Sequence, residues 1–241
     1  MPRAIFIHLP KTGGTSFHAA LQRGFGADAV SPPFAASRMS VEQAEALRRY
    51  DIICGHISLQ DINTHFPDAV LFTILREPIE RCLSWYSFAR NLPATSHADV
   101  TAAQTHDLHD FFHLDPSIAY RNTFNRQTRQ LAFHALDNDV DMSAALLEAQ
   151  KTLKNCAWIG RQECLHEDLI RLGSVLPEMA NATLPELNKT SQRIEVRDID
   201  PALKERIESY NTYDIALYDY ACSVLVSQAQ HHGANPQADH G

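Results

Sequence analysis

The residues best placed to do chemistry in this chain lie in the run His8-Leu9-Pro10-Lys11-Thr12-Gly13-Gly14-Thr15-Ser16. An apolar run, Ala4-Ile5-Phe6-Ile7, leads into it, and an amphipathic stretch starting at Thr15 follows. The pattern predicts a buried strand, a tight glycine turn and the first turn of a helix. A helix start of this kind offers unpaired backbone N–H groups and partial positive charge to an anion. Gly13 and Gly14 let a phosphate approach the backbone with no Cβ in the way. Lys11 adds a mobile cation, and Thr12, Thr15 and Ser16 add hydroxyl donors. The expected ligand is a phosphate-like group.

The nucleotide-triphosphate loop G-x-x-x-x-G-K-[ST] carries its lysine after the glycines. Here Lys11 precedes them, and the dinucleotide pattern G-x-G-x-x-G is absent. A second apolar run, over 70–75, ends at Arg76-Glu77-Pro78. It suits a central parallel strand, with Pro78 placed to open a helix. Ile79, Cys82, Leu83 and Tyr86 form the apolar stripe of that helix.

The first segment resembles the 5′-phosphosulfate loop of sulfotransferases, P-K-T-G-[GST]-T-S. The string Leu75-Arg76-Glu77-Pro78-Ile79-Glu80-Arg81-Cys82-Leu83-Ser84-Trp85-Tyr86 resembles their 3′-phosphate element, R-[DE]-P-x-x-R-x-x-S-x-Y. Together they resemble the family that uses 3′-phosphoadenosine 5′-phosphosulfate (PAPS), in particular the heparan sulfate 2-O-sulfotransferases and short bacterial carbohydrate-type sulfotransferases. Three further stretches agree. Cys54-Gly55-His56-Ile57-Ser58 resembles a strand ending in G-H-[VI]-S, Ile159-Gly160 with Glu163 resembles [VI]-G-x-x-E, and Leu187-Asn188-Lys189-Thr190-Ser191 resembles a late loop over the nucleotide.

The resemblance implies a PAPS site. Lys11, Thr12, Gly13, Gly14, Thr15 and Ser16 would hold the 5′-phosphosulfate, and Arg76 and Ser84 the 3′-phosphate. Lys189, Thr190, Ser191 and Arg193 would close over the nucleotide. An arginine fork and a helix-borne hydroxyl suit a phosphate. The resemblance also implies His56 as the catalytic base, work that suits a side chain titrating near neutrality. Lys11 would neutralise charge on the bridging oxygen. Where the heparan enzymes carry H-G-H, this chain has Cys54-Gly55-His56, which leaves the acceptor open.

The elements that must position these residues alternate. Strands are expected over 5–8, 51–54, 70–75 and 157–159. Helices are expected over 15–24, 41–50, 78–90, 143–153 and 165–176, one opened by Pro201, and a last one carrying Ile215, Tyr218, Cys222 and Leu225. Ser40 and Gln43 form a capping box. On the 143–153 helix, Leu146, Leu147, Gln150 and Leu153 are expected on one side. The expected fold is α/β: a single P-loop-like domain over 1–228, with a central parallel sheet, helices on both faces and ligands at the strands' C-terminal ends. A disordered tail is expected over 229–241.

Residues 91–139 are the least legible. His106, His109 and His113 either share a helical face and a metal, or are simply solvated; no metal is expected, since sulfuryl transfer from PAPS needs none. Asn125, Gln127, Thr128 and Arg129 resemble a family element near the acceptor cleft. Asn125, Arg126 and Arg129, with Arg121, are either binders of an acceptor carboxylate or sulfate, or a solvated basic face.

At 241 residues and 44% hydrophobic, the chain can bury one domain core. A net charge of −8 argues against nucleic acid as a general partner. Five scattered cysteines with no C-x-x-C read as reduced, buried thiols. The apolar start runs directly into the loop and no run approaches a membrane span, so a bacterial-type cytoplasmic protein is expected. The expected function is PAPS-dependent transfer to an acceptor hydroxyl, by default on a carbohydrate or glycoconjugate. The alternatives are a nucleotide or metabolite kinase, which lacks its Mg²⁺ carboxylate here, and a non-catalytic nucleotide-binding module, against which Lys11 and His56 count.

Overall fold

The structure, a computed structural model, describes residues 2–35, 38–93, 97–132, 141–185 and 194–233. In chain order the elements are β1 (Ala4–Ile7), α1 (Gly14–Phe25), β2 (Phe34–Ala35), α2 (Val41–Leu47), β3 (Ile52–His56), α3 (Leu59–His65), β4 (Val70–Leu75), α4 (Pro78–Ala89), α5 (Ala98–Thr105), α6 (Leu108–His113), α7 (Pro116–Thr123), α8 (Arg126–Ala132), α9 (Met142–Asn155), β5 (Cys156–Arg161), α10 (Leu165–Val175), α11 (Pro201–Tyr210) and α12 (Thr212–Gly233). The sheet has five parallel strands in the order β2-β3-β1-β4-β5. The chain leaves β1 toward β3 on one side and returns to β4 on the other. Ligands bind at such a reversal, beyond the strands' C-terminal ends.

Alternation within the strands sorts the core into two layers. Ile5, Ile7, Ile53, Leu71 and Ile159 face α9 and α12 through Ala145, Ala149, Leu217 and Ala221. Phe6, Cys54, Phe72, Ile74 and Trp158 face α1 and α10 through Phe17, Leu21, Leu169 and Leu172. A third cluster joins the helices beyond the sheet: Ile79, Cys82, Leu83 and Tyr86 of α4 pack with Phe111, Phe112, Phe124, Leu203 and Ile207. The expected α4 stripe is therefore buried as a unit.

The Ser40–Gln43 capping box is present. Several boundaries differ from expectation. β3 runs on to His56, because Gly55 and His56 pair with Phe34 and Ala35 of β2. The buried side of α9 is Ala145, Ala149, Thr152 and Leu153, while Leu147 is 59% exposed. Small residues let α9 lie close against its neighbours, which a stripe of leucines would not. α12 extends to Gly233, beyond the boundary expected at 228, and the rest of the expected tail lies outside the described residues. His106 ends α5 in extended backbone while His109 and His113 stack on α6, so the three do not share a helical face. All five cysteines are free thiols; Cys54, Cys82 and Cys156 are buried, while Cys164 and Cys222 are only partly so. Among the described residues no helix is long and apolar enough to cross a membrane.

The largest surprise is α8, Arg126-Gln127-Thr128-Arg129-Gln130-Leu131-Ala132, which is polar in sequence and buried throughout. Asp214 of α12, itself fully buried, accepts hydrogen bonds from the N–H groups of Gln127 (3.1 Å) and Thr128 (2.7 Å) and from the Thr128 hydroxyl (2.8 Å). Arg81 Nε lies 3.9 Å from the same carboxylate. Removing one partner of a buried charge pair strands the other. Asp214→Ala is therefore expected to cost about 3–5 kcal/mol, measured by urea unfolding. A loss below about 1 kcal/mol, the scale of a surface pair, would mean that this carboxylate does not hold the helices.

Candidate active site

The loop after β1 is shaped by backbone conformation. Lys11 has φ 69° and Gly13 φ 84°, on either side of Thr12. Turns of this kind gather successive N–H groups into an anion-binding concavity, and strain in a non-glycine residue is characteristic of functional loops. Gly13 is the N-cap of α1, has no side chain to cap it, and no acidic residue stands in the first turn. The first-turn N–H groups and the positive end of the helix dipole thus face the loop. Thr15 is exposed and Ser16 half-buried. Thr12 differs from expectation: it is fully buried and its hydroxyl donates to the Leu9 carbonyl (2.9 Å), which closes the turn. Gly14 also has a reason other than the expected one. A Cβ there would stand 2.0 Å from His8 Nε2, so the glycine makes room for the His8 ring.

Arg76 leaves the end of β4 beside this loop. Its guanidinium donates to the Lys11 carbonyl (3.2 Å) and to Glu80 (3.1 Å), and is nearly buried. Its backbone is held from both sides by one amide: Arg76 N–H donates to Gln127 Oε1 (3.0 Å) and Gln127 Nε2 donates to the Arg76 carbonyl (2.9 Å). Glu163 accepts from the Glu77 N–H (2.8 Å) and from the Tyr218 hydroxyl (3.1 Å), which fixes the turn into α4. Ser84 lies one turn after Glu80 and one turn before Phe88, on one face of α4. Phe88 is 43% exposed, and Lys11 Nζ sits 3.9 Å from its ring centroid. Lys11, Arg76 and Ser84 thus border one region. Burial, and then the Arg76 charge, push the Lys11 ammonium down to about 8.

His56 ends β3 on the other side of β1. Its Nδ1 bonds the His8 carbonyl, and its ring stacks on His8 with centroids 4.6 Å apart. A carbonyl only accepts, so Nδ1 carries the proton and Nε2 is the basic nitrogen of the neutral ring. Burial holds the His56 pKa below its ordinary value, helped by the Arg126 charge and opposed by the His8 hydrogen bond. Burial and the His56, His18 and Lys11 charges push His8 down to about 3. Both rings are neutral at neutral pH.

The three residues expected at the acceptor separate. Asn125, at φ 45°, accepts from the N–H groups of Tyr213 and Asp214 (both 3.0 Å), and its own N–H donates to Asn211. Arg129 donates to the carbonyls of Phe124 (3.1 Å) and Arg121 (2.9 Å). These two side chains join the start of α8 to its neighbours. Arg126 alone acts on His56; burial, then the charges of Arg129 and Arg81, push it down to about 9, still protonated at neutral pH. Lys189, Thr190, Ser191 and Arg193 lie outside the described residues. A cleft of about 600 Å³ lined by Tyr86, Arg90, Asn91, His106 and Ile194 borders α4, but holds none of the loop residues, Arg76 or His56. Gln127, expected near the acceptor cleft, bonds the Arg76 backbone, and His8, Glu80, Phe88 and Gln130 are the residues that the sequence left without a role. Only His8 carried a signal, as a polar residue at the end of an apolar strand before the glycine turn.

A parallel sheet whose first strand ends in a cationic glycine turn at a helix N-terminus is an arrangement at which α/β proteins bind anions. Residues 2–221 match the sulfotransferase family, and the chain belongs to that family, whose chemistry is sulfuryl transfer. Heparan-sulfate 6-O-sulfotransferase 3-B of Danio rerio is 23% identical over 278 residues, covering 94% of this chain and 64% of the relative. The chain thus spans less than two thirds of that protein. A solved sulfotransferase from Alicyclobacillus acidocaldarius has a TM-score of 0.45 and 14% identity, covering 90% of this chain and 94% of that one. The sequence motifs resembled the 2-O enzymes, whereas this relative is a 6-O enzyme.

The His8 environment has a measurable consequence. The unfolded chain takes up a proton on His8 as pH falls below 6.5, and the folded chain resists it to about 3. Stability is therefore lost as pH falls through that window. The urea midpoint should drop more steeply from pH 7 to 5 in the wild-type chain than in His8→Asn, which cannot titrate. Equal slopes would refute it.

Proposed function

We propose that the protein moves the sulfuryl group of PAPS to a hydroxyl of a carbohydrate or glycoconjugate by in-line displacement, with His56 as general base and Lys11 as the cation at the departing phosphate. The observation that carries this reading is the convergence of Lys11, Arg76 and a neutral His56 on the C-terminal ends of β1, β4 and β3, next to the bare N-terminus of α1.

The residues fit the donor. The first-turn N–H groups of α1, with Lys11, Gly13, Thr15 and Ser16, suit the 5′-phosphosulfate, and Gly14 contributes its N–H; Thr12 contributes through its backbone, its hydroxyl being engaged. Arg76, oriented by Glu80 and Gln127, suits the 3′-phosphate together with Ser84. Lys189, Thr190 and Ser191 belong to the same proposal through the family resemblance. PAPS, when bound, supplies an activated sulfuryl group and departs as 3′-phosphoadenosine 5′-phosphate. His56 Nε2 removes the proton of the acceptor hydroxyl, a role for which its neutral, Nδ1-protonated state is prepared. Lys11 offsets the charge that develops opposite it. The name of the Danio rerio relative supports a polysaccharide acceptor, and Arg126 beside His56 suits an anionic substituent on it.

Calorimetric titration with 3′-phosphoadenosine 5′-phosphate, with ATP as control and no added metal, tests the donor site. The bisphosphate should bind and ATP should bind weakly; a preference for ATP with Mg²⁺ would move the protein to the kinases. Lys11→Ala should weaken binding and lower turnover by about 10²–10³-fold. His56→Ala should lower turnover by about 10²–10⁴-fold while sparing bisphosphate binding; equal loss of both would remove it as the base. The kcat/KM profile should rise through a pKa below 6.5 as His56 becomes neutral and fall above about 8 as Lys11 loses its proton.

A further inference from the structure

The base is held by an atom that is held in turn. The His8 carbonyl accepts from His56 Nδ1 and also from Gln130 Nε2 at 2.9 Å. The His8 N–H donates to the Gly55 carbonyl (2.9 Å), so the residue whose carbonyl His56 leans on is also tied, through its preceding peptide, to the strand that carries His56. The His8 ring fills the space over Gly14 on one side and stacks on His56 on the other. Gln130 comes from α8, far from these residues in sequence, and is nearly buried.

Its chemistry is unfavourable for a purely structural residue. Gln130 Oε1 is buried and has no hydrogen-bond partner among the described residues. A buried acceptor left unpaired destabilises the fold, and an apolar side chain of similar size would remove that cost. Among the described residues, the one bond that the Gln130 side chain makes goes to the oxygen that fixes the tautomer of His56.

We propose that Gln130 is a positioning residue for the sulfuryl-transfer reaction: through the His8 carbonyl it keeps His56 in the Nδ1–H tautomer, with Nε2 free to take the acceptor proton. This rests on the reading of His56 as the base. Two donors on one carbonyl fix its direction better than one, and that direction sets the angle of the imidazole ring. Without Gln130 the carbonyl can turn, the Nδ1 bond weakens, and the Nε2–H tautomer, which cannot accept the proton, gains population.

Gln130→Leu and Gln130→Met, which keep the volume and lose the donor, test this. The readouts are steady-state kinetics and the ¹⁵N spectrum of histidine-labelled protein, with the His56 signals identified by their absence in His56→Ala. In the wild-type chain Nδ1 should appear protonated and Nε2 unprotonated. In the variants the two nitrogens should move toward each other in shift, kcat should fall at least about tenfold, and KM for PAPS should stay within about twofold. A folded variant with the wild-type nitrogen pattern and wild-type kcat would overturn the proposal. If His56→Ala retains turnover, the base reading fails by itself, and the nitrogen spectrum alone then decides whether Gln130 positions the ring. If Gln130→Leu does not fold, Gln130→Met carries the test.

Discussion

Asp214 sits at the start of α12 with no exposure to water and gathers two backbone N–H groups, one hydroxyl and the Arg81 guanidinium. Its partners fix the first turn of α8, and α8 then fixes the site. Gln127 grips the backbone of Arg76 on both sides, and Gln130, one helical turn on, meets the His8 carbonyl beneath His56. The arm proposed for the 3′-phosphate and the proposed base are thus set to one short helix, whose own position depends on one carboxylate. Polar groups buried this way are costly unless each finds a partner, and they then specify a single arrangement.

Charge is distributed to the same end. The chain carries a net charge of −8, yet Lys11, Arg76 and Arg126 lie around the loop and the base. Burial makes each of them more responsive. The Lys11 ammonium and the His56 imidazolium are both disfavoured by desolvation, so the site holds a cation that an anion would stabilise and an imidazole kept in its neutral form, able to accept a proton. Glu80 and Asp214 compensate Arg76 and Arg81. This is preorganisation in the electrostatic sense: the dipoles and charges are aligned before any ligand arrives.

Much of this was legible in the sequence, because it rests on local rules. Apolar runs of four to six residues gave β1 and β4, Ser40 and Gln43 gave the start of α2, and Pro78 the start of α4. The glycine turn and Arg76, which the sequence suggested for a phosphate by residue type and spacing, lie side by side in the structure. What stayed hidden depends on distant partners. α8 has no apolar stripe, so no periodicity marks it as buried, and its anchor lies 86 to 87 residues away. β3 lengthens to His56 only because β2 pairs with it. Gly14 has a constraint that no local rule shows: its missing Cβ accommodates the His8 ring. Asn125 and Arg129 looked like a binding surface because their type is polar, while their partners are backbone groups of α7, α12 and the turn before α8.

The placement of Asp214 after the other residues of the site also orders events during synthesis. The glycine turn, the arginine arm and the histidine all emerge from the ribosome well before α12, but the first turn of the helix that contacts them lacks its buried carboxylate until Asp214 follows. A nascent chain that stops short of α12 would hold every residue of the proposed chemistry without the carboxylate that fixes the first turn of α8. Competence for the reaction is therefore a late, all-at-once property of this polypeptide, acquired when the last long helix docks.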